Sequence, residues 1–258
     1  MDHTNYWRRQ EPGKPLFPDL QWNRPENKLH AGKLLIIGGN QFGFTAPAEA
    51  YSHSLKAGIG VSRAILPNAL EKIMGKLFPE IEFAPSTPSG SFGRSSLAAL
   101  LDTSEWANAV LLAGDFGKNS ETTIVIESLL EKYVGEMILA GDSLDHFTTN
   151  TDVLLNRPDT TLVLEFAQLQ KIITNSSSQR ALTSGMDFLH FIESLHTLSQ
   201  EYSAKLVVKR EGNWFVAVDG QVTSTESDLP TTDAAASVSV WLIQNTQRPL
   251  EALTTALL

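Results

Sequence analysis

Residues 33–60 constrain the fold more than any other part of the chain. An apolar run rich in branched side chains (33–37) leads into a glycine loop (38–43), and a segment of helical character runs from Thr45 to about Gly58. A buried strand, a glycine loop and a helix in this order are typical of the first unit of an α/β sheet. Such a loop is also a place where backbone groups meet a ligand.

Apolar runs alternate with helical segments along the rest of the chain. Further strands are predicted at residues 60–67, 81–84, 109–113, 137–140, 161–164, 205–209 and 214–218, the last two as a hairpin. Alternation from end to end predicts right-handed crossovers, and therefore a three-layer α/β sandwich around a mainly parallel central sheet.

Residues that can cap a helix predict where several helices begin. Asn68 is expected to cap a helix that continues to about Leu77, and Asn119 or Ser120 to cap the helix over residues 120–133. Other helices are expected over residues 95–102, 144–155, 165–173, 186–204 and 234–243, with a short one after Pro249.

The first 30 residues differ in character from the rest. They are rich in Pro, Arg and Asn, and we predict an irregular N-terminal arm over residues 1–30, followed by a single α/β domain over residues 31–258. The arm carries four aromatic residues that are expected to dock it on its own domain or on a neighbouring subunit: Tyr6, Trp7, Phe17 and Trp22.

Composition narrows the class of protein. A net charge of −9 disfavours nonspecific nucleic-acid binding. The absence of cysteine excludes disulfides, thiolate metal sites and a cysteine nucleophile, and it is compatible with the cytosol. No apolar run reaches the roughly 18 residues of a transmembrane helix, and the N-terminus lacks a signal-peptide core. We therefore expect a cytoplasmic protein with no membrane partner.

The first glycine loop has two interpretations. Residues 38–45 follow the spacing of a Walker A loop, but Phe44 stands where a lysine must neutralise nucleotide phosphates. The G-x-G-x-x-G dinucleotide pattern is not met either. The loop is then either a ligand contact of another kind or a tight turn in which glycine permits positive φ.

A second glycine loop follows the strand at residues 109–113. Gly114 and Gly117 lie at the carboxyl end of that strand, the edge of an open α/β sheet where ligands bind. An ordinary turn that leads into a capped helix explains the same residues equally well.

Thr231, Thr232 and Asp233 begin a nearly uncharged helix. Consecutive N–H groups at a helix N-terminus attract anions, and an aspartate there can act as a general base beside a substrate hydroxyl. The alternative is that Asp233 or a neighbouring threonine is simply the N-cap.

Metal and hydrolase motifs are weak. The six histidines show no metal-ligating spacing, and no G-x-S-x-G elbow is present. Asp142, Asp145 and His146 are close in sequence and can be interpreted as a cation site or, more simply, as a solvated loop. The N-x-x-E sequence at residues 68–71 is better explained by helix capping, so no metal site is predicted within the protein itself.

The order of these motifs resembles the ADP/ATP-dependent NAD(P)H-hydrate dehydratases, which are repair enzymes of ribokinase-like fold. The matching segments are the first unit with Lys56-Ala57-Gly58-Ile59-Gly60, the strand and loop at 110–117, and residues 138–144, 165–167, 206–218 and 229–242. The resemblance implies nucleotide-dependent dehydration of hydrated NADH or NADPH. It also implies ADP or ATP as cofactor, Mg²⁺ with the nucleotide, and homo-oligomers. Interface elements are expected in the arm and in the loop over residues 86–94.

The polar motifs of that family are changed more than its strands. The glycine signature before the catalytic aspartate is Pro230-Thr231-Thr232 here, although Asp233 remains. The family's T-P-H-P-G run is replaced by Thr160-Thr161-Leu162-Val163-Leu164. Its D-A-D segment retains Asp142 but has Ala140 at the first aspartate, and its Lys-Gly pair is Lys209-Arg210.

The resemblance assigns each candidate residue a role. Asp233 is the acid/base. The anion and nucleotide site comprises Lys209, Thr231, Thr232, Gly114 and Gly117. The substrate side comprises Gly38, Gly39, Gly43 and Asp142.

Three functions stay open from the sequence. The first is a divergent dehydratase, and the second is a non-catalytic relative that binds a nucleotide, a protein or its own copies. The third is a small-molecule kinase with Asp233 as base. Whether Leu162, Leu164 and Phe116 fill the space between the first glycine loop and Asp233 is expected to separate an open site from a closed one.

Overall fold

The computed structural model describes residues 5–74 and 81–258, and a ten-stranded sheet runs through its centre. The strands are β1 (Trp7–Gln10), β2 (Lys33–Gly38), β3 (Val61–Pro67), β4 (Ile81–Ala84), β5 (Ala109–Gly114), β6 (Glu136–Ala140), β7 (Thr160–Glu165), β8 (Lys205–Arg210), β9 (Asn213–Val218) and β10 (Gln221–Glu226).

The sheet is mainly parallel, as predicted. Its strand order is β1-β10-β9-β8-β7-β6-β5-β2-β3-β4, and every neighbouring pair from β8 to β4 is parallel. The predicted hairpin is present, since β8 and β9 are antiparallel, and β9 pairs antiparallel with β10. The carboxyl ends of the parallel strands therefore gather at one edge of the sheet.

Helices cover both faces of the sheet. They are α1 (Pro18–Trp22), α2 (Thr45–Lys56), α3 (Glu71–Met74), α4 (Leu97–Trp106), α5 (Ser120–Lys132), α6 (Thr151–Asn156), α7 (Phe166–Thr174), α8 (Phe188–Glu201), α9 (Thr231–Gln244) and α10 (Pro249–Thr255). Short 3₁₀ helices occupy Lys28–His30, Asn68–Leu70, Arg94–Ser96 and Gly141–Phe147.

Two apolar cores lie on opposite faces of the sheet. Helices α5, α7 and α8 pack on one face with Leu162 and Leu164, whereas α2, α9 and α10 pack on the other with Val163. Because side chains alternate along a strand, β7 contributes to both cores, and all six of its side chains except that of Glu165 are buried. The three-layer α/β architecture is thus confirmed.

The N-terminal segment is less irregular than predicted. β1 pairs in parallel with β10 and becomes an edge strand of the sheet. Trp7 donates its indole N–H to Ser224, Tyr6 stacks on His196, and Phe17 is buried, but Trp22 is 87% exposed. The boundary between an arm and a domain at residue 30 stays a prediction.

Capping was predicted correctly at one helix and wrongly at another. Asn119 is the N-cap of α5, and its side chain accepts from the amides of Glu121 and Thr122. Asn68 caps no helix, because its amide oxygen accepts instead from the amide and hydroxyl of Ser86. The expected end of the following helix at Leu77 lies outside the described residues.

Within the described residues, no helix is long and apolar enough to cross a membrane.

Candidate active site

The two glycine loops touch each other at the carboxyl edge of the sheet. The amide of Gly39 donates to the carbonyl of Gly114, with 3.0 Å between nitrogen and oxygen. A Cβ atom added at Gly38 would lie 2.5 Å from the same carbonyl oxygen. The register between β2 and β5 shifts at this point. Glycine at position 38 is therefore required by backbone approach, whether or not a ligand contacts it.

Asp115 fastens the loops to the start of α2. Its carboxylate accepts from the amide of Ala46 at 2.7 Å, and its carbonyl accepts from the side-chain amide of Asn40 at 2.6 Å. Gly43 lies beside the same carboxylate, 3.6 Å from Asp115 Cγ to an added Cβ. The first loop is thus braced by internal contacts.

Asp142 performs the same task for the second loop. One carboxylate oxygen accepts from the amide of Phe116 at 3.1 Å and the other from the amide of Gly117 at 3.0 Å. Asp142 therefore braces the second loop, and its contact with a substrate stays a prediction. Asp145 forms an ion pair with Lys171, and in the described parts of the chain no group of three or more His, Asp or Glu could hold a metal ion.

His146 is buried beneath this loop. Its Nδ1 lies 2.7 Å from the hydroxyl of Thr123, and its ring meets Phe116 edge-on. Among the described residues, its Nε2 has no hydrogen-bond partner. Burial lowers the pKa of His146, although the carboxylates of Asp142, Asp145 and Glu127 act in the opposite direction. The imidazole is therefore kept neutral where the chain of the second loop passes over it.

Within the part of the chain that the structure describes, no side chain caps the N-terminus of α9. Pro230 is the N-cap residue, and the first backbone bond of the helix runs from the amide of Ala234 to the Pro230 carbonyl at 2.8 Å. Thr231, Thr232 and Asp233 lie inside the first turn, so the interpretation of Asp233 or a threonine as N-cap is wrong. Their amides point out of the helix end, the arrangement that favours an anion.

A network of side chains stands where the glycine signature of the resembled family would lie. The Thr231 hydroxyl donates to the Glu165 carboxylate at 2.7 Å. Glu165 and Gln168 form a capping box at the start of α7, and Gln168 also donates to the carbonyl of Gly141 at 2.9 Å. The ends of β6 and β7 are thereby tied to the start of α9. Sequence reasoning had given Glu165 no role in the site.

Lys209 lies beside the same helix start. It is the strand neighbour of Glu165 across β7 and β8, and its ammonium donates to the Leu229 carbonyl at 2.8 Å. The indole N–H of Trp214 donates to the same carbonyl, and the Lys209 ammonium lies 5.5 Å from the centre of the Trp214 ring. Lys209 is thus bonded two residues before Thr231, and its role in a nucleotide site stays a prediction.

Asp233 contacts a residue that the sequence did not single out. Its Oδ2 lies 3.4 Å from Nδ1 of His53, in α2. The two side chains are 22% and 29% exposed, so both keep access to solvent. A histidine in the last turn of a helix carries no local signal for such a contact, which arises from the packing of α2 on α9.

The predicted site residues therefore form two groups joined by α2. The glycine loops and Asp142 meet its first turn through Asp115 and Ala46, and the group at the start of α9 meets it through His53. Leu162, Leu164 and Phe116 are fully buried in the core on the face opposite α9. They do not fill the space between the two groups.

Comparison with known proteins agrees with this architecture. No protein-family model matches the chain. The bifunctional NAD(P)H-hydrate repair enzyme Nnr of Moorella thermoacetica is 26% identical over 125 residues, which are 48% of this chain and 24% of that protein. The match thus spans about a quarter of the length of the curated relative.

Solved structures extend the likeness over nearly the whole chain. A ribokinase-like superfamily protein from Enterococcus faecalis has a TM-score of 0.71 at 15% identity, covering 98% of this chain and 86% of that one. The ADP/ATP-dependent NAD(P)H-hydrate dehydratase of Bacillus subtilis, co-crystallised with ATP/Mg²⁺, has a TM-score of 0.60 at 14% identity, covering 94% and 85%. The chain therefore has a ribokinase-like fold and, as its motifs predict, resembles the NAD(P)H-hydrate dehydratases.

Proposed function

We propose that this protein binds ADP or ATP at the start of α9 and uses Asp233 to dehydrate hydrated NADH or NADPH. The observation that carries the proposal is the uncapped N-terminus of α9, which presents amides and an aspartate beside the Lys209 ammonium. Amides at a helix end and a lysine suit phosphate, and a carboxylate in the first turn suits proton transfer.

Mg²⁺ fits the same place through Glu165. Magnesium in nucleotide sites is held by one or two carboxylates together with phosphate oxygens. The Glu165 carboxylate already lies at the helix start, bonded to the Thr231 hydroxyl. Bound Mg²⁺ would supply the positive charge that lets a carboxylate and a phosphate share one helix end, and the chain supplies Glu165, Lys209 and the amides of Thr231 and Thr232.

The proposed activity is tested with the purified protein, hydrated NADH, Mg²⁺ and either ADP or ATP. Formation of NADH is followed by its absorbance, and Asp233→Asn is expected to reduce the rate by roughly 100-fold or more, the usual contribution of a positioned acid/base. Asp187→Asn, at an exposed Asp–His pair on α8, is the matched control. Absence of NADH formation by the unaltered protein with both nucleotides would reject the dehydratase function.

A second candidate is a nucleotide-binding relative without catalysis. It is favoured by the internal partners of the site, since Thr231 bonds to Glu165, Lys209 to the Leu229 carbonyl, and Asp233 contacts His53. Thermal-shift measurements with ADP, ATP, AMP and NADH distinguish the candidates, because bound ligand raises Tm by mass action. A rise in Tm with ADP or ATP but no turnover supports this candidate, and no rise with any of them rejects nucleotide binding.

Glu165→Gln tests the role of magnesium. If Mg²⁺ bridges Glu165 and the nucleotide, ADP binding by the unaltered protein increases when Mg²⁺ is added, and the variant shows a smaller increase. Calorimetric titrations of ADP with and without Mg²⁺ measure both. If Mg²⁺ increased ADP affinity equally in the two proteins, Glu165 would not be a ligand of the metal.

Assembly into homo-oligomers and a cytoplasmic location also stay proposals. The loop over residues 86–94, expected at an interface, is largely buried within its own chain: Thr87, Ser91 and Phe92 are each at most 7% exposed. The edge strand β1 is the better candidate for contact between copies. Light scattering of the purified protein measures the oligomeric state directly.

A further inference from the structure

The contact between His53 and Asp233 joins two helices that the sequence separates by 180 positions. His53 lies in α2 and Asp233 in the first turn of α9; the two helices contact each other, and the small buried residues Ala50 and Ala235 belong to the same apolar core. Small residues let the two helices approach closely. The longer imidazole reaches across the partly exposed rim of this interface to the carboxylate.

The contact engages one oxygen of Asp233. His53 Nδ1 lies 3.4 Å from Oδ2, which is within ion-pair distance. The described residues provide no other basic side chain at ion-pair distance from Asp233. The Lys209 ammonium is directed to the Leu229 carbonyl instead. His53 is thus the side chain that contacts Oδ2 within the described residues, and this contact leaves Oδ1 for a substrate.

We propose that His53 is a positioning residue that holds the Asp233 carboxylate so that Oδ1 faces the substrate. The inference rests on the proposed function for its catalytic consequence. A carboxylate in the first turn of a helix rotates freely between rotamers unless a neighbour fixes it. The helix dipole stabilises its negative charge but does not orient it. An imidazole against Oδ2 supplies the orientation, and misplacing a reacting group by about 1 Å costs roughly 100-fold in rate.

A double-mutant cycle tests the contact without any assay of activity. The variants are His53→Ala, Asp233→Asn and the double variant, compared by thermal unfolding. For a partly exposed pair in a chain of this size, we expect the Tm loss of the double variant to be about 1–3 °C smaller than the sum of the two single losses. The exposed pair of His190 and the α8 N-cap residue Asp187, whose side chains lie 2.7 Å apart, is the positive control cycle, in which a shortfall is expected. Additive Tm losses at His53 and Asp233 would overturn the proposal.

The catalytic consequence is tested by kinetics. His53→Ala is expected to lower kcat by roughly 10- to 100-fold with KM changed by less than about 3-fold, because substrate binding is retained while proton transfer is misaligned. His53→Asn places an amide near the position of Nδ1 and should restore part of kcat. His190→Ala should leave kcat unchanged.

The two proposals fail in different ways. An unaltered kcat in His53→Ala, measured in an active protein, overturns the positioning role while the proposed function stands. If the unaltered protein forms no NADH, the proposed function fails, and the Tm cycle alone decides whether His53 holds Asp233. A rise of KM with unchanged kcat would assign His53 to substrate binding and would also overturn positioning.

Discussion

Replacing Gly38 with alanine tests whether the first glycine loop is shaped by ligand or by backbone. An added Cβ would lie 2.5 Å from the Gly114 carbonyl oxygen and 3.5 Å from both the Gly114 nitrogen and Pro47 Cβ. The nearest atom is backbone at the end of β5, so it cannot rotate away as a side chain would. Gly38 does not have positive φ, and the cost is therefore steric rather than conformational.

The expected destabilisation follows from this overlap. Forcing one extra carbon into packed surroundings costs about 1–3 kcal/mol. For a chain of this length, each kcal/mol corresponds to a fall in Tm of roughly 2–4 °C, so Gly38→Ala should lower Tm by about 2–12 °C. We expect this overlap to break or lengthen the hydrogen bond from the Gly39 amide to the Gly114 carbonyl, which joins the two loops.

Gly43→Ala is the matched control in the same loop. A Cβ there meets Asp115 at 3.6 Å, an ordinary van der Waals distance, and Gly43 does not have positive φ. Thermal and urea unfolding of both variants should show a loss only for Gly38→Ala. A Gly38→Ala protein as stable as the unaltered one would refute the argument, and it would return Gly38 to the role of a substrate contact if NADH formation or nucleotide binding also fell.

Three further predictions address the edge of the sheet, the buried imidazole and the nucleotide site. Gln10→Ala should cost about 2–4 kcal/mol by urea unfolding, because the buried Gln10 side chain bonds to the Thr254 carbonyl, the Thr225 hydroxyl and the Leu16 amide. Arg9→Ala, at an exposed ion pair, should cost less than about 1 kcal/mol. The lowered pKa of His146 means that the folded state binds fewer protons than the unfolded state, so stability is lost as pH falls below the ordinary value of 6.5; His146→Asn should flatten this dependence in unfolding curves measured from neutral to acidic pH. Lys209→Met should weaken ADP binding by roughly 10-fold in calorimetry, because it removes the ammonium beside the α9 amides.

The strands that can be predicted from the sequence are the apolar ones. Strands β2, β5, β6 and β7 are central and buried on both faces, which makes them continuous apolar runs in the sequence. Strands β1 and β10 were missed because their sequences, WRRQ and QVTSTE, are polar. Their pairing joins residues about 215 positions apart, and the bond from the Gln10 side chain to the Thr225 hydroxyl links the two strands. No local sequence pattern predicts a partner so distant in the chain.

The predictable part of the site is limited in the same way. The glycine loops were located correctly, but glycine serves equally for a ligand and for the close approach of Gly38 to Gly114, so the sequence alone leaves its purpose open. Asp142 was identified as a polar residue in the right place, and only the structure shows its bonds to two loop amides. The contact of His53 with Asp233 cannot be predicted without knowing how α2 packs on α9.

The hydrogen bonds already present at the start of α9 also limit how tightly an anion can bind there. In the protein alone, the Thr231 hydroxyl is bonded to Glu165 and the Lys209 ammonium to the Leu229 carbonyl, so a phosphate competes with both partners. Breaking one hydrogen bond to a charged group costs about 1.5–3 kcal/mol, which is roughly a 10- to 100-fold loss of affinity. The amides of Thr231 and Thr232 carry no such cost, because no side chain of residues 5–74 or 81–258 caps them. A nucleotide that uses the amides and recruits Mg²⁺ to Glu165 avoids part of the competition, since a carboxylate that accepts from the Thr231 hydroxyl and the Gln168 amide still has lone pairs for a metal.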